Sequence, residues 1–208
     1  YGFDNVYLQP VMVPHWVRGQ KEIGRIVNSR KMGTVEVNVC ALGGSIGTGP
    51  SGISAPVIEV RSFDELKQLG EKNVKGKIVF FNRAMDPTRI NTFTGYGGAV
   101  DQRGSGASEA AKYGAVGALV RSMGSNLEDY PHTGGLRYAP NVPQIPALAI
   151  STRHAELLSK LLKDDSGLQF YMESHCEILP DAPSYNVIGE IKGSEYPEEI
   201  IVVSGHLD

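Results

Sequence analysis

Cysteine, tryptophan and long apolar runs are scarce in this chain. Only two cysteines occur in 208 residues, Cys40 and Cys176. That is too few for a disulfide scaffold, and their separation is not that of a zinc site. Both fall in strand-like alternation, where buried free thiols are the expected state; a bridge between them stays open. Nothing approaches the ~18 consecutive apolar residues of a membrane-spanning helix. Basic clusters are missing too. With 20 Lys+Arg against 23 Asp+Glu, the net charge is −3, so neither nucleic acid nor anionic membrane is an expected partner. No Asn-x-Ser/Thr triplet offers a glycan acceptor. No signal peptide is recognisable, but Tyr1 stands inside a strand-like pattern. The true N-terminus is therefore expected upstream, and the missing leader excludes little.

What remains is the composition of a soluble globular protein, 41% hydrophobic and 21% charged, and long enough for one large or two modest cores. Residues 6–18 read as a strand that Pro10 and Pro14 confine to a sheet edge, with Glu22–Val27 as its hairpin partner. Val35, Val37, Val39 and Ala41 alternate with polar neighbours as one half-buried strand. The Gly/Ser/Pro-rich stretch Gly43–Ala55 then marks entry into a new unit.

Inside that unit, strands and helices alternate. Strands are expected at Val57–Val60, Lys77–Phe81, Val116–Val120 and Ile145–Ile150. Ser62 and Glu65 have capping-box spacing before a short helix. A long loop leads to a helix over Ala107–Tyr113, and Ser151 or Thr152 caps another carrying Leu158, Leu161 and Leu162. Leu168 to Ile178 alternates as one long strand, and Pro180–Pro183 reads as a linker. Two more strands, Tyr185–Ile191 and Glu199–Ser204, complete an α/β fold with three stretches, 1–42, 43–179 and 180–208.

Four places could carry chemistry. Ile200-Ile-Val-Val203 is a doubly buried strand in pattern, and Ser-Gly-His206-Leu-Asp208 follows it. At such a strand end His206 could offer a nitrogen to a metal, while Asp208 takes the other ring N–H. Gly43-Gly-Ser45-Ile-Gly47 matches a nucleophile elbow, but Gly49-Pro50 forbids the helix that must follow. The glycines at 95–98 and 104–106 miss the dinucleotide spacing at Val100. His132 and Thr133, in the loop Tyr130–Gly135, are the groups best equipped to touch a substrate. His15, His154 and His175 read as packing or solvated residues.

Lys77-Ile-Val-Phe-Phe, the Ala-Ala-Lys-Tyr-Gly-Ala-Val-Gly-Ala-Leu-Val run ending at Val120, and Ile145-Pro-Ala-Leu-Ala-Ile together resemble a protease-associated domain. The flanks, with Pro14-His-Trp16, Tyr185-Asn-Val-Ile-Gly189 and Val203-Ser-Gly-His-Leu-Asp208, resemble the opening strands of bridged di-zinc exopeptidases. The resemblance implies a protease-associated domain inserted between the first strands of an incomplete di-zinc peptidase sheet. It makes His206 a zinc ligand and Asp208 its orienting, catalytic carboxylate. It places the other ligands and the general-base glutamate beyond Asp208, so two zinc ions belong to a longer enzyme and none is expected on this piece alone. It further implies hydrolysis of dipeptides and other small peptides in a secreted or periplasmic setting. The remainder of the peptidase domain is the expected partner, with a homodimer as a candidate assembly. The alternative is a non-catalytic interaction or lid module.

Overall fold

Ile78-Val-Phe-Phe81 is buried along its whole length, as a strand covered on both faces must be. The computed structural model describes residues 2–207. In chain order it contains β1 (Asn5–Val17), β2 (Ile23–Ser29), β3 (Gly33–Val37), β4 (Val39–Ala41), β5 (Ile53–Val60), α1 (Phe63–Val74), β6 (Ile78–Phe81), α2 (Thr92–Gly97), α3 (Asp101–Gly104) and α4 (Gly106–Ala111). β7 (Gly117–Arg121), β8 (Ala147–Ile150), α5 (Thr152–Asp164), β9 (Gln169–Glu173) and β10 (Glu177–Glu190) follow.

β5, β6, β7 and β8 run parallel side by side. Because side chains alternate across a strand, Phe80, Leu119 and Leu148 enter one core with Leu158 and Leu161 of α5 and Phe170 of β9. Phe81, Val79 and Val120 enter a second core, against Leu66 and Val74 of α1 and Ala107 and Ala110 of α4. The helices start where their caps dictate. Ser62 Oγ accepts from Glu65 N at 3.1 Å, and Ser151 Oγ accepts from His154 N at 3.2 Å. The Glu65 carboxylate accepts from Arg61 N at 2.6 Å, one residue upstream of the Ser62 N–H that a full capping box uses.

The complete sheet order is β3-β2-β9-β5-β6-β7-β8-β4. Consecutive strands β3 and β4 thus stand at opposite ends of the order, so the sheet curls back on itself. A Cβ at Gly24 of β2 would lie 2.7 Å from Val39 Cγ1 of β4, which is why that approach needs glycine. The single strand expected over 35–41 is therefore two, broken at Asn38. Asn38 N donates to His154 Nδ1 and its carbonyl accepts from Ser151 N; the start of α5 takes the groups a strand neighbour would need.

Other boundaries differ from expectation for similar reasons. β2 pairs with β3 and β9 rather than with β1. The strand expected from Leu168 to Ile178 breaks after Glu173, where Thr48 takes the Ser174 backbone by donating to its carbonyl and accepting from its amide. The long loop after β6 contains α2 and α3, α2 being capped by Asn91. Pro180–Pro183 lies within β10 instead of forming a linker; among the described residues β10 pairs with β1 alone, an edge setting that tolerates proline. Glu199–Ser204 has no strand assignment, because no neighbouring strand pairs with it among the described residues.

The chain divides into residues 2–15 with 180–207, and residues 16–179. The smaller unit is built on the β1–β10 ribbon, where Asp4 bonds Glu190 and Asn186 bonds Gln9. The larger one is interposed in its sequence. β2, β3 and β4 belong to the curled sheet of the larger unit.

Candidate functional site

The strand-end site is only partly on view. Ile200, Ile201, Val202 and Val203 are 85, 90, 79 and 92% exposed, and His206 follows in irregular backbone. Asp208, expected to orient it, lies outside the described residues. Among the described residues no three His, Cys, Asp or Glu side chains are placed to hold a metal ion. A catalytic zinc needs three protein ligands, and His206 is one imidazole. The described residues do not by themselves fit a zinc centre.

The loop Tyr130–Gly135 is firmly stitched down. His132 N donates to Ser122 Oγ at 2.8 Å. Its Nδ1 lies 2.8 Å from Met123 O and its Nε2 lies 2.7 Å from Glu128 Oε1. Both neighbours are acceptors, so each ring nitrogen faces an oxygen. Thr133 Oγ1 donates to Ala41 O at 2.8 Å and accepts from Arg18 Nη2 at 3.4 Å. Gly43 N donates to Gly134 O and Leu136 N to Gly43 O, each at 2.9 Å. A Cβ at Gly134 would run into the Arg103 guanidinium. His132 and Thr133, expected to face a substrate, already have partners inside the larger unit. A substrate contact at either one exchanges an existing hydrogen bond for a new one.

Arg18 is the hub behind this loop. Its Nη1 lies 2.9 Å from Glu22 Oε1, 3.0 Å from Cys40 Sγ and 2.7 Å from Ala41 O. The guanidinium also lies over the Trp16 ring, whose Nε1 donates to Ser45 O at 2.8 Å. The signal available in sequence was weak: a charged residue between two strand patterns usually faces solvent.

Cys40 and Cys176 are both free thiols. Burial pushes each above the ordinary cysteine value, partly offset by Arg18 and reinforced by Glu22. Ser45 is fully buried, donating to Ile46 O and accepting from Ala147 N. It is a structural hydroxyl with no access to a substrate.

At the carboxyl ends of β6 and β7, Arg121 Nη1 donates to Asn82 Oδ1 at 3.1 Å and Glu156 Oε1 at 2.6 Å. Asn82 Nδ2 and Ser159 Oγ both donate to Glu59 Oε1, at 2.8 and 3.0 Å. This buried network was missed, although polar residues directly after all-apolar strands were its signal.

Residues 39–158 match the PA domain family. Carboxypeptidase Q of Xenopus laevis is 45% identical over 205 residues, covering 99% of this chain and 41% of that protein. The crystal structure of a peptidase M28 precursor from Shewanella amazonensis has a TM-score of 0.84 at 37% identity, covering 93% of this chain and 42% of that one. A zinc aminopeptidase from Bacillus subtilis shares the fold alone, with a TM-score of 0.54 at 19% identity over 93% of this chain and 38% of its own. The chain thus spans about two-fifths of the length of the curated relatives it matches. These relatives agree with the exopeptidase resemblance carried by the sequence motifs. With more than half of its residues matched, this chain belongs to the PA domain family.

Proposed function

We propose that this chain is part of a zinc-dependent exopeptidase of the carboxypeptidase Q kind, secreted or periplasmic, that hydrolyses dipeptides and other small peptides. In this reading His206 is one ligand of a two-zinc centre and Asp208 its orienting carboxylate, with the rest of the ligands supplied by the remainder of a peptidase domain. Residues 43–179 stand as the protease-associated domain, and its loop with His132 and Thr133 is the part that meets the substrate.

One observation carries the reading: where the apolar surface lies. In the larger unit the big apolar side chains fill two cores. In the smaller unit Val6, Leu8, Met12, Tyr185, Val187 and the quartet Ile200–Val203 are exposed. A β-branched quartet leading to a histidine is suited to pairing inside a sheet, and uncovered apolar surface of this extent marks a face that another part occupies. The high identity to carboxypeptidase Q over nearly the whole chain supplies the kind of partner.

A second reading, an interaction or lid module without catalysis, is favoured by the closed cores of residues 16–179 and by the absence of a three-ligand group among the described residues. Dipeptide hydrolysis with added zinc separates the two, measured on this chain and on a protein joining it to a complete peptidase domain. The chain alone is expected to be inert. The joined protein is expected to turn over dipeptides and to lose both activity and bound zinc in His206→Ala. Full zinc occupancy and normal rate in that variant overturn the ligand assignment, and an inactive joined protein favours the lid.

A further inference from the structure

The polar side chains of His132 and Thr133 have partners, but the main chain of their loop is not wholly engaged. Gly43 and Gly135 form an isolated parallel β-bridge. Gly43 N donates to Gly134 O and Leu136 N donates to Gly43 O, each at 2.9 Å. In a parallel bridge of this kind, the residue between the two bonded neighbours turns its own N–H and C=O the other way. Gly135 is that residue. Among the described residues, nothing accepts from its N–H and nothing donates to its carbonyl.

The approach to those two groups is open. Gly135 is exposed, and a Cβ built on it would meet nothing within 4 Å beyond its chain neighbours. Another chain can therefore lie close against its backbone.

Around Gly135 the segment is fixed. His132 N is tied to Ser122 Oγ and Thr133 Oγ1 to Ala41 O, both at 2.8 Å. Thr133 O faces Arg103 Nη1 at 3.5 Å. The same guanidinium packs against Gly134, where a Cβ would stand 2.4 Å from Arg103 Cζ. Tyr96 holds Arg103 in turn, through its hydroxyl and through its ring, whose centroid is 5.4 Å from Cζ. An edge already ordered in this way loses little freedom when a partner arrives. One bonded side and one open side is the form that accepts a further strand, and the groups that match it are the N–H and C=O of a peptide.

We propose that Gly135 binds the main chain of a peptide, its N–H donating to a peptide carbonyl and its C=O accepting from a peptide N–H. The proposal rests on the reading that this loop meets the substrate, and it moves the contact from engaged side chains to a free backbone. Recognition of this kind selects an amide backbone, whatever side chains the peptide carries.

Trialanine titrated into the isotope-labelled chain without added zinc tests the site, because binding is read from backbone amide signals and not from hydrolysis. The Gly135 signal is expected to shift saturably with a Kd on the order of millimolar, since the peptide displaces water from exposed groups. Gly135→Ala keeps the N–H and has room for its Cβ, so its Kd is expected within about threefold of the natural chain. Gly135→Pro removes the N–H and is expected to bind at least about fivefold more weakly, the scale of one hydrogen bond. Should Gly135→Pro lower the Tm, an analogue of trialanine with its central amide replaced by an ester decides on the natural chain. It has no N–H for Gly135 O and is expected to bind at least about fivefold more weakly than trialanine. Equal binding of trialanine and its ester analogue, undiminished binding by a stably folded Gly135→Pro, or no saturable shift at Gly135 below about 100 mM overturns the proposal. The two readings fail separately. A joined protein that hydrolyses dipeptides while this chain ignores trialanine overturns the Gly135 site alone, and an inert joined protein whose PA domain still binds trialanine overturns the peptidase reading and keeps the site.

Discussion

Arg121 Nη1 and Glu156 Oε1 meet at 2.6 Å, and the pair is lopsided: the arginine side chain is 7% exposed and the glutamate 55%. The two residues therefore do not matter equally. Arg121 ends a buried strand and also holds Asn82, which holds Glu59. Arg121→Ala is expected to lower stability by about 2–3 kcal/mol, because Asn82 Oδ1 loses its donor in a buried setting. Glu156→Gln is expected to cost less than about 1 kcal/mol, since water screens and replaces the exposed partner. Urea denaturation of both variants checks the asymmetry; equal losses would show that the ion pair, rather than the Arg121–Asn82 bond, supports the sheet ends.

The two thiols are expected to differ in reach but share a raised pKa. Cys40 is partly exposed and Cys176 buried, and burial holds both above the ordinary value. A thiol reagent at neutral pH is expected to label Cys40 slowly, faster as pH rises past about 8.5, and Cys176 only after unfolding. Two thiols per denatured chain are expected without reductant. Fewer than two would mean that the cysteines bridge in solution.

The parallel core was legible because its signal is local. Runs such as Lys77–Phe81 and Ile145–Ile150 have the composition of doubly covered strands, and Ser62 and Ser151 announce their helices. What stayed hidden depends on partners distant in sequence. Asn38 looks like any polar position of an alternating strand, and only the start of α5, more than a hundred residues later, shows why the strand stops there. Thr48 similarly ends β9 from far upstream. For the candidate sites, residue types were readable but their engagement was not. Nothing around His132 in sequence shows that Met123 and Glu128 occupy both ring nitrogens, and nothing near Arg18 shows that it reaches Cys40 and Ala41.

That engagement gives His132 a structural share. His132→Ala removes the ring's bonds to Met123 O and Glu128, while His132 N keeps Ser122. The ring and Glu128 are both partly exposed, so the expected cost is about 1–2 kcal/mol rather than that of a buried pair. Thermal and chemical denaturation check it. An unchanged midpoint would show that the bonds at His132 N, Thr133, Gly134 and Leu136 hold the loop without the ring, leaving the imidazole free for a substrate.

His154 links the curled sheet to acid sensitivity. Its Nδ1 accepts the Asn38 backbone N–H at 3.1 Å and lies 2.9 Å from Ser151 Oγ, so the fold uses the neutral ring. Burial pushes its pKa below the ordinary histidine value; Arg153 lowers it further and Asp129 opposes both. Its position in the first turn of α5 also disfavours positive charge. The unfolded chain binds the proton more readily than the folded one, so stability falls with acidification. The contribution of His154 is complete above about 6.5, the ordinary value, and is lost as pH falls through the lower folded pKa. Carboxylates such as Asp86 and Glu173 are held below the ordinary carboxylate range by hydrogen bonds, on the acid side of the histidine interval. Between pH 7.5 and 5.0 the Tm is therefore expected to drop more in the natural chain than in His154→Gln, whose amide stays neutral throughout. Equal drops in the two proteins would show that Asn38 is held in place without the imidazole, and that another histidine sets the acid response.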